Sequence, residues 1–196
     1  MWQRQVAIVF FTFISFSNTF KYQAIPENED IFTDCKDQPN GVYGIGHFLD
    51  FSEITYETVG QSVIWKGISR SLWDIKSKDR IQFELRILEY AWGDWQPTLY
   101  SMKVPDFCSK MYDTDQYWYK FWLSNLKNLE DVKDKCLMPG TKYENGNCNM
   151  TVVFESYLLM YGRYKGEAKF TAFDEFNKPR PIKICFETRF ELHRLS

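Results

Sequence analysis

Five cysteines carry the most definite chemistry in this 196-residue chain: Cys35, Cys108, Cys136, Cys148 and Cys185. None belongs to a C-x-x-C pair, so neither a zinc ribbon nor a thioredoxin-type dithiol is on offer. Isolated cysteines suit disulfides in an oxidising compartment, where an odd number leaves one thiol over. Closing the longest loop favours Cys35 with Cys185, a tie between the two ends of the chain. Cys108 with Cys136 would then staple the middle and leave Cys148 free, and Cys136 with Cys148 is the competing pairing. Asn149-Met150-Thr151 is the only N-x-[ST] sequon, which makes Asn149 a glycosylation candidate if the chain is secreted.

Reactive constellations are otherwise missing. The chain holds no G-x-S-x-G elbow, H-E-x-x-H, P-loop or EF-hand loop. Gly44-Ile45-Gly46-His47 lacks the third glycine and following helix of a phosphate-binding loop, and reads as a turn into Phe48 and Phe51. His47 has no recognisable partner, and His193 falls on the outward face of a strand. With no convergent nucleophile and base, the expectation is a non-enzymatic protein with no catalytic residue, metal site or cofactor. Lys+Arg 24 against Asp+Glu 26 gives a net charge of −2 without a basic block, which argues against nucleic-acid binding. What is abundant is aromatic: 17 Phe, 12 Tyr and 7 Trp. Each such ring can bury roughly 150–250 Å².

The N-terminus accounts for the compartment. Arg4 precedes an apolar run from Val6 to Ile14, and Ser15 and Ser17 suit the −3 and −1 cleavage positions, so residues 1–17 read as a signal peptide. The run is shorter than the ~20 apolar residues of a membrane span. The expectation is an extracellular protein, without stable membrane insertion, whose single domain covers residues 18–196.

Most of that domain alternates with period two. Ile81, Phe83, Leu85 and Ile87 face one way against Gln82, Glu84 and Arg86. Tyr164, Ala168, Phe170 and Ala172 form a second such strand. Ile182, Ile184, Phe186, Phe190 and Leu192 form a third, with Cys185 on its polar face. Thr151–Tyr161 is β-rich and is expected to pair with the Tyr164 strand through a turn at Gly162. The Val63–Trp73 run has its alternation broken at Gly67, a bulge or a close approach, and Trp92-Gly93-Asp94-Trp95 is a turn. From Asp113 to Lys135 the period changes: Trp118, Trp122, Leu126, Leu129 and Val132 recur at helical spacing. The fold class is therefore all-β, an immunoglobulin-like antiparallel sandwich with one helical or loop insertion around residues 113–135. Such a sandwich either fills its core or leaves its sheets splayed around an apolar ligand. The inward candidates for a cup are Phe83, Leu85, Ile87, Phe170, Phe186 and Phe190.

The order and spacing of several short motifs add a resemblance. Trp65-Lys66-Gly67, Trp95-Gln96-Pro97-Thr98-Leu99-Tyr100, Asp106-Phe107-Cys108 and the spaced Trp118 and Trp122 come first. Cys136 with Pro139-Gly140-Thr141-Lys142-Tyr143, Gly162-Arg163-Tyr164-Lys165, and Arg180 with Ile184-Cys185-Phe186-Glu187 follow. Together they resemble the insect chemosensory CheB proteins, secreted relatives of the lipid-recognition (ML) superfamily and of the ganglioside activator protein. The resemblance implies a sandwich with a hydrophobic cup, a tryptophan-bearing loop at its mouth (Trp118 and Trp122), and a role in taste or pheromone detection. It also implies Cys35 with Cys185 as the pair joining the ends, and Cys108 and Cys136 as cysteines flanking the loop region. The chain departs from better-studied lipid-recognition proteins in having fewer cysteines. The leading expectation is a secreted binder of a lipid or other apolar semiochemical. The alternative is a filled-core protein that modulates a sodium-channel-type receptor ectodomain through its Trp-rich loop.

Overall fold

The alternating segments assemble into two antiparallel layers of unequal size in the computed structural model, which describes residues 19–27, 30–60 and 62–195. Residues 1–17, the expected signal peptide, lie outside the described residues. Among the described residues there are eleven strands: β1 (Phe20–Pro26), β2 (Thr33–Asp34), β3 (Val42–Tyr43), β4 (Leu49–Val59), β5 (Ser62–Ser71), β6 (Arg80–Ala91), β7 (Asp94–Val104), β8 (Lys142–Asn149), β9 (Val152–Ser156), β10 (Gly162–Phe173) and β11 (Pro179–Arg194). The larger sheet has eight strands in the order β7-β6-β10-β11-β1-β9, with β2 and β3 also on β11. The smaller has three, in the order β4-β5-β8. β11 runs for 16 residues, longer than any one neighbour on its far side. β1, β2 and β3 share that side between them, β3 in parallel.

Local chemistry sets the corners. β6 and β7 join through Trp92-Gly93, both at positive φ (53° and 85°), as a tight hairpin requires. At Gly67, φ is +125° and an added Cβ would lie 2.1 Å from the Glu53 carbonyl oxygen. The β5–β8 register shifts at the same place, so the broken alternation marks both a bulge and a close approach.

One expectation is corrected. The Thr151–Tyr161 run does not pair with β10. Val152, Phe154 and Ser156 pair with Ala24, Tyr22 and Phe20 of β1, so β9 is the opposite edge of the sheet. Residues 157–161 then cross beneath β1 and β11, and Tyr22 pins the crossing: its hydroxyl accepts the Met160 N–H (2.9 Å) and donates to the Leu158 carbonyl (3.2 Å). The expected helical or loop insertion at 113–135 is present, built of short pieces rather than one long helix. After α1 (Phe107–Lys110) come α2 (Tyr117–Phe121), a 3-10 turn at Leu123–Asn125 and α3 (Leu129–Val132). Leu126 breaks the run by bridging to Asn145 of β8, and the Lys127 N–H donates to the Glu144 carbonyl (2.8 Å).

Under the small sheet the core is solid. Phe48, Trp73, Ile81, Phe83, Phe107, Phe170 and Ile184 are buried there together. On the outer face of β10 and β11, Glu187 is buried between Lys165 (2.7 Å) and Arg189 (2.6 Å), whose cations lie over the Trp95 ring. Burial pushes the Glu187 carboxyl up, but the two cations more than offset it and hold it below its ordinary value. Cys35–Cys185 and Cys108–Cys136 are the two disulfides, and Cys148 is a buried free thiol among Trp65 and Ile54.

The disulfides close loops of very different length, with sequence separations of 150 and 28. Chain entropy then predicts that replacing Cys35 and Cys185 by serine costs about 5 kcal/mol, against roughly 3.5 kcal/mol for Cys108 and Cys136. Urea midpoints of the two double variants check that order. Cys148 should resist iodoacetamide in the native protein and react once denaturant is added.

Candidate functional site

The two sheets do not cover one another, and the site follows from that mismatch. Across the inner face of the large sheet run rows of facing residues. Phe83 and Ile184 flank Phe170, Leu85 and Phe186 flank Ala168, and Ile87 and Thr188 flank Gly166. The first rows lie under the small sheet. Beyond them the side chains shrink to Gly166, Thr188 and Ala24 while the rim stays large, and a half-open cavity of about 560 Å³ remains. That volume falls within the roughly 300–1,000 Å³ of small-molecule sites.

Its floor is Gly166, where an added Cβ would sit 3.5 Å from the Leu85 and Ile87 methyls and 3.6 Å from that of Thr188. Phe190 and Phe154 wall one side, Ile31 and Phe32 another, and Leu158 and Met160 of the crossing loop close the end. The Tyr100 hydroxyl on edge strand β7 meets the Ser156 Oγ on edge strand β9 at 2.8 Å, so the sheet curls until its two edges touch across the cavity. Leu158 also donates its N–H to Ser156 Oγ (3.0 Å). Behind the wall, Tyr164 stacks on Phe190, and burial together with Glu89 pushes its phenol up to about 12.

The expected cup residues separate into two groups. Leu85, Ile87 and Phe190 line the cavity. Phe83, Phe170 and Phe186 share the inner face but pack into the solid core with Phe48, and none of them reaches the cavity. The mouth assignment is corrected: Trp118 and Trp122 do not line it. Trp118 packs on Phe107 (4.9 Å) and Phe83 (5.7 Å) and donates its indole N–H to the Met111 carbonyl (2.9 Å). Trp122 packs on Tyr143 and donates to Asn145 Oδ1 (2.9 Å). Residues four apart share one face of a helical turn, so anchoring Trp118 and Trp122 inward turns Tyr117 and Phe121 to the cavity. Those two rings are parallel, 6.2 Å apart, and line it. The doubled aromatic pattern was the available signal, and the family resemblance favoured the tryptophans. Sequence reasoning missed Tyr100 and Ser156 outright, since nothing local marks two edge strands that meet by curling.

Chemistry elsewhere is sparse. His47 packs against Tyr43 with its ring tilted, and His193 lies 3.7 Å from Glu191 on the outside of β11. Among the described residues, the one cluster of three potential metal donors is Cys35, Glu167 and Cys185, and its two sulfurs are bonded to each other. Asn149 is exposed at the end of β8, with its Oδ1 accepting the Thr151 N–H (2.9 Å). Tyr157, Leu159 and Tyr161 stand exposed around the crossing loop. No helix among the described residues is long and apolar enough to cross a membrane. The sequence matches no protein-family model, and a search of curated proteins returns no match.

The inward and outward rings of α2 should part in mutagenesis. Trp118→Ala should cost about 2 kcal/mol or more of stability through lost packing and an orphaned carbonyl, while Phe121→Ala should cost under about 1 kcal/mol. Thermal and urea unfolding of the two variants check this.

Proposed function

We propose that this protein is a secreted, non-enzymatic binder of a lipid or other apolar small molecule. The observation that carries the reading is the half-open cavity whose walls are almost wholly apolar side chains. Apolar walls of this kind bind by excluding water, and they need neither a nucleophile nor a metal. Two disulfides fit an oxidising compartment, and the exposed sequon at Asn149 fits a glycan there. The likeness to the chemosensory CheB proteins gives the ligand a biological setting, that of a taste or pheromone cue. A receptor ectodomain of the sodium-channel type would then be a partner of the loaded protein.

The alternative reading, a filled core acting through exposed tryptophans, fits the placement of the residues less well. The inner face is hollow over Gly166, and Trp118 and Trp122 are half-buried.

The experiment is uptake of an apolar fluorophore, N-phenyl-1-naphthylamine, by protein from a eukaryotic secretory host, with mass spectrometry of whatever co-purifies. Wild type should bind the probe and carry an apolar molecule. Gly166→Leu, whose side chain projects into the cavity from an unstrained extended backbone, should fold with an unchanged circular dichroism spectrum and lose uptake. A folded wild type that takes up no probe, or a Gly166→Leu variant that binds as well as wild type, would contradict the reading.

A further inference from the structure

The cavity's few polar atoms bear on which apolar molecule it takes, an inference that rests on reading the cavity as a ligand site. Among the described residues, no lysine, arginine or histidine lines it. Among the described residues the one carboxylate-bearing residue at its wall is Glu155, and strand alternation turns that side chain to the opposite face. There its position is paired with Lys21, and its carboxylate accepts from the Thr19 hydroxyl (3.4 Å). A carboxylate or ammonium brought inside would therefore lose its hydration and meet no countercharge, at a cost that keeps it outside or neutralises it.

Of the hydroxyl-bearing residues at its wall, Tyr100 and Ser156 meet each other. Tyr100 and Ser156 bring two hydroxyl protons to a single 2.8 Å contact, which uses only one of them. The Leu158 N–H already occupies Ser156 Oγ as a donor, so it adds to the acceptor load and takes no proton away. Whichever hydroxyl donates within the pair, the proton left over is a donor for an oxygen inside the cavity. A guest carrying an accepting oxygen satisfies that donor. An unfunctionalised alkane displaces any water there without replacing its bond.

We propose that the cavity selects an uncharged aliphatic molecule bearing an accepting oxygen (an ester, ketone or alcohol) over the carboxylate, amine or alkane of equal chain length, with Tyr100 and Ser156 as the oxygen's partners.

Displacement of N-phenyl-1-naphthylamine by twelve-carbon competitors, each below its aggregation concentration, tests this. At about pH 8, where the free acid is ionised and the amine protonated, methyl dodecanoate and dodecanol should displace the probe at concentrations roughly tenfold below those needed for dodecanoate or dodecylammonium. They should also lead dodecane by about fivefold, the worth of one net hydrogen bond. Lowering the pH towards about 4 should bring the acid closer to the ester as it becomes neutral. In a Tyr100→Phe, Ser156→Ala double variant the preference for ester over alkane should collapse. Dodecanoate equal to the ester at about pH 8, dodecane equal to the ester, or an ester preference that survives the double variant would each overturn the selection rule while leaving the cavity in place. Absence of probe uptake in the wild type would instead remove the cavity as a ligand site, and the rule with it.

Discussion

An apolar sheet face wider than the layer laid across it is the constraint from which this structure follows. Eight strands present one continuous inner surface, and only three strands lie over it. Where the two meet, Phe48, Trp73, Phe83 and Phe170 pack into a closed core. Past that edge, exposed apolar surface costs free energy in proportion to its area, on the order of 25 cal/mol per Å². The chain limits that cost by bending. The large sheet curls until β7 and β9 meet through Tyr100 and Ser156, and the crossing loop tucks Met160 against Tyr22 and Tyr164. Curling cannot fill the space at the centre, because Gly166, Thr188 and Ala24 supply too little volume.

The supports on the outside of the molecule keep that curl in place. β11 is the spine, bonded to β10 along one side and to three short strands along the other. Cys35–Cys185 fixes the N-terminal strands to it covalently. The Lys165–Glu187–Arg189 cluster lies on the convex side, at the level of the cavity floor on the concave side. A carboxylate buried between two cations tolerates little displacement, since moving either partner leaves charge uncompensated. The floor of the cavity is thus backed by an ionic cluster, and its rim is formed by Tyr117, Phe121 and the loop after β9.

Much of this was legible in the amino-acid sequence. Period two over Ile81–Ile87, Tyr164–Ala172 and Ile182–Leu192 named the central strands and their inward faces, and loop-closure reasoning reached Cys35–Cys185, while Cys108–Cys136 stood against Cys136–Cys148 as an open alternative. The rest depended on relations between distant segments. Alternation says which way Phe83 and Leu85 point, but it does not say how far the opposite sheet extends, so it could not separate a packed phenylalanine from a cavity wall. Thr151–Tyr161 carries the composition of a strand but no mark of its partner. Its actual neighbour, β1, lies more than a hundred residues earlier and was read only as the sequence after a signal peptide. In the Tyr117–Trp122 run both helical faces are aromatic, and the choice of inward face rests on two acceptors, the Met111 carbonyl and Asn145 Oδ1, that helical spacing cannot reveal.

The central claim is that the inner face remains open over Gly166, and the most direct measurement is a crystal structure of the secreted protein grown with a bromine-tagged long-chain ester. The account predicts anomalous bromine density between Gly166, Phe154 and Phe190, with the Tyr100 and Ser156 hydroxyls beside the ester oxygen. A Leu158–Met160 loop folded down onto Gly166, with bromine nowhere between the sheets, would contradict it.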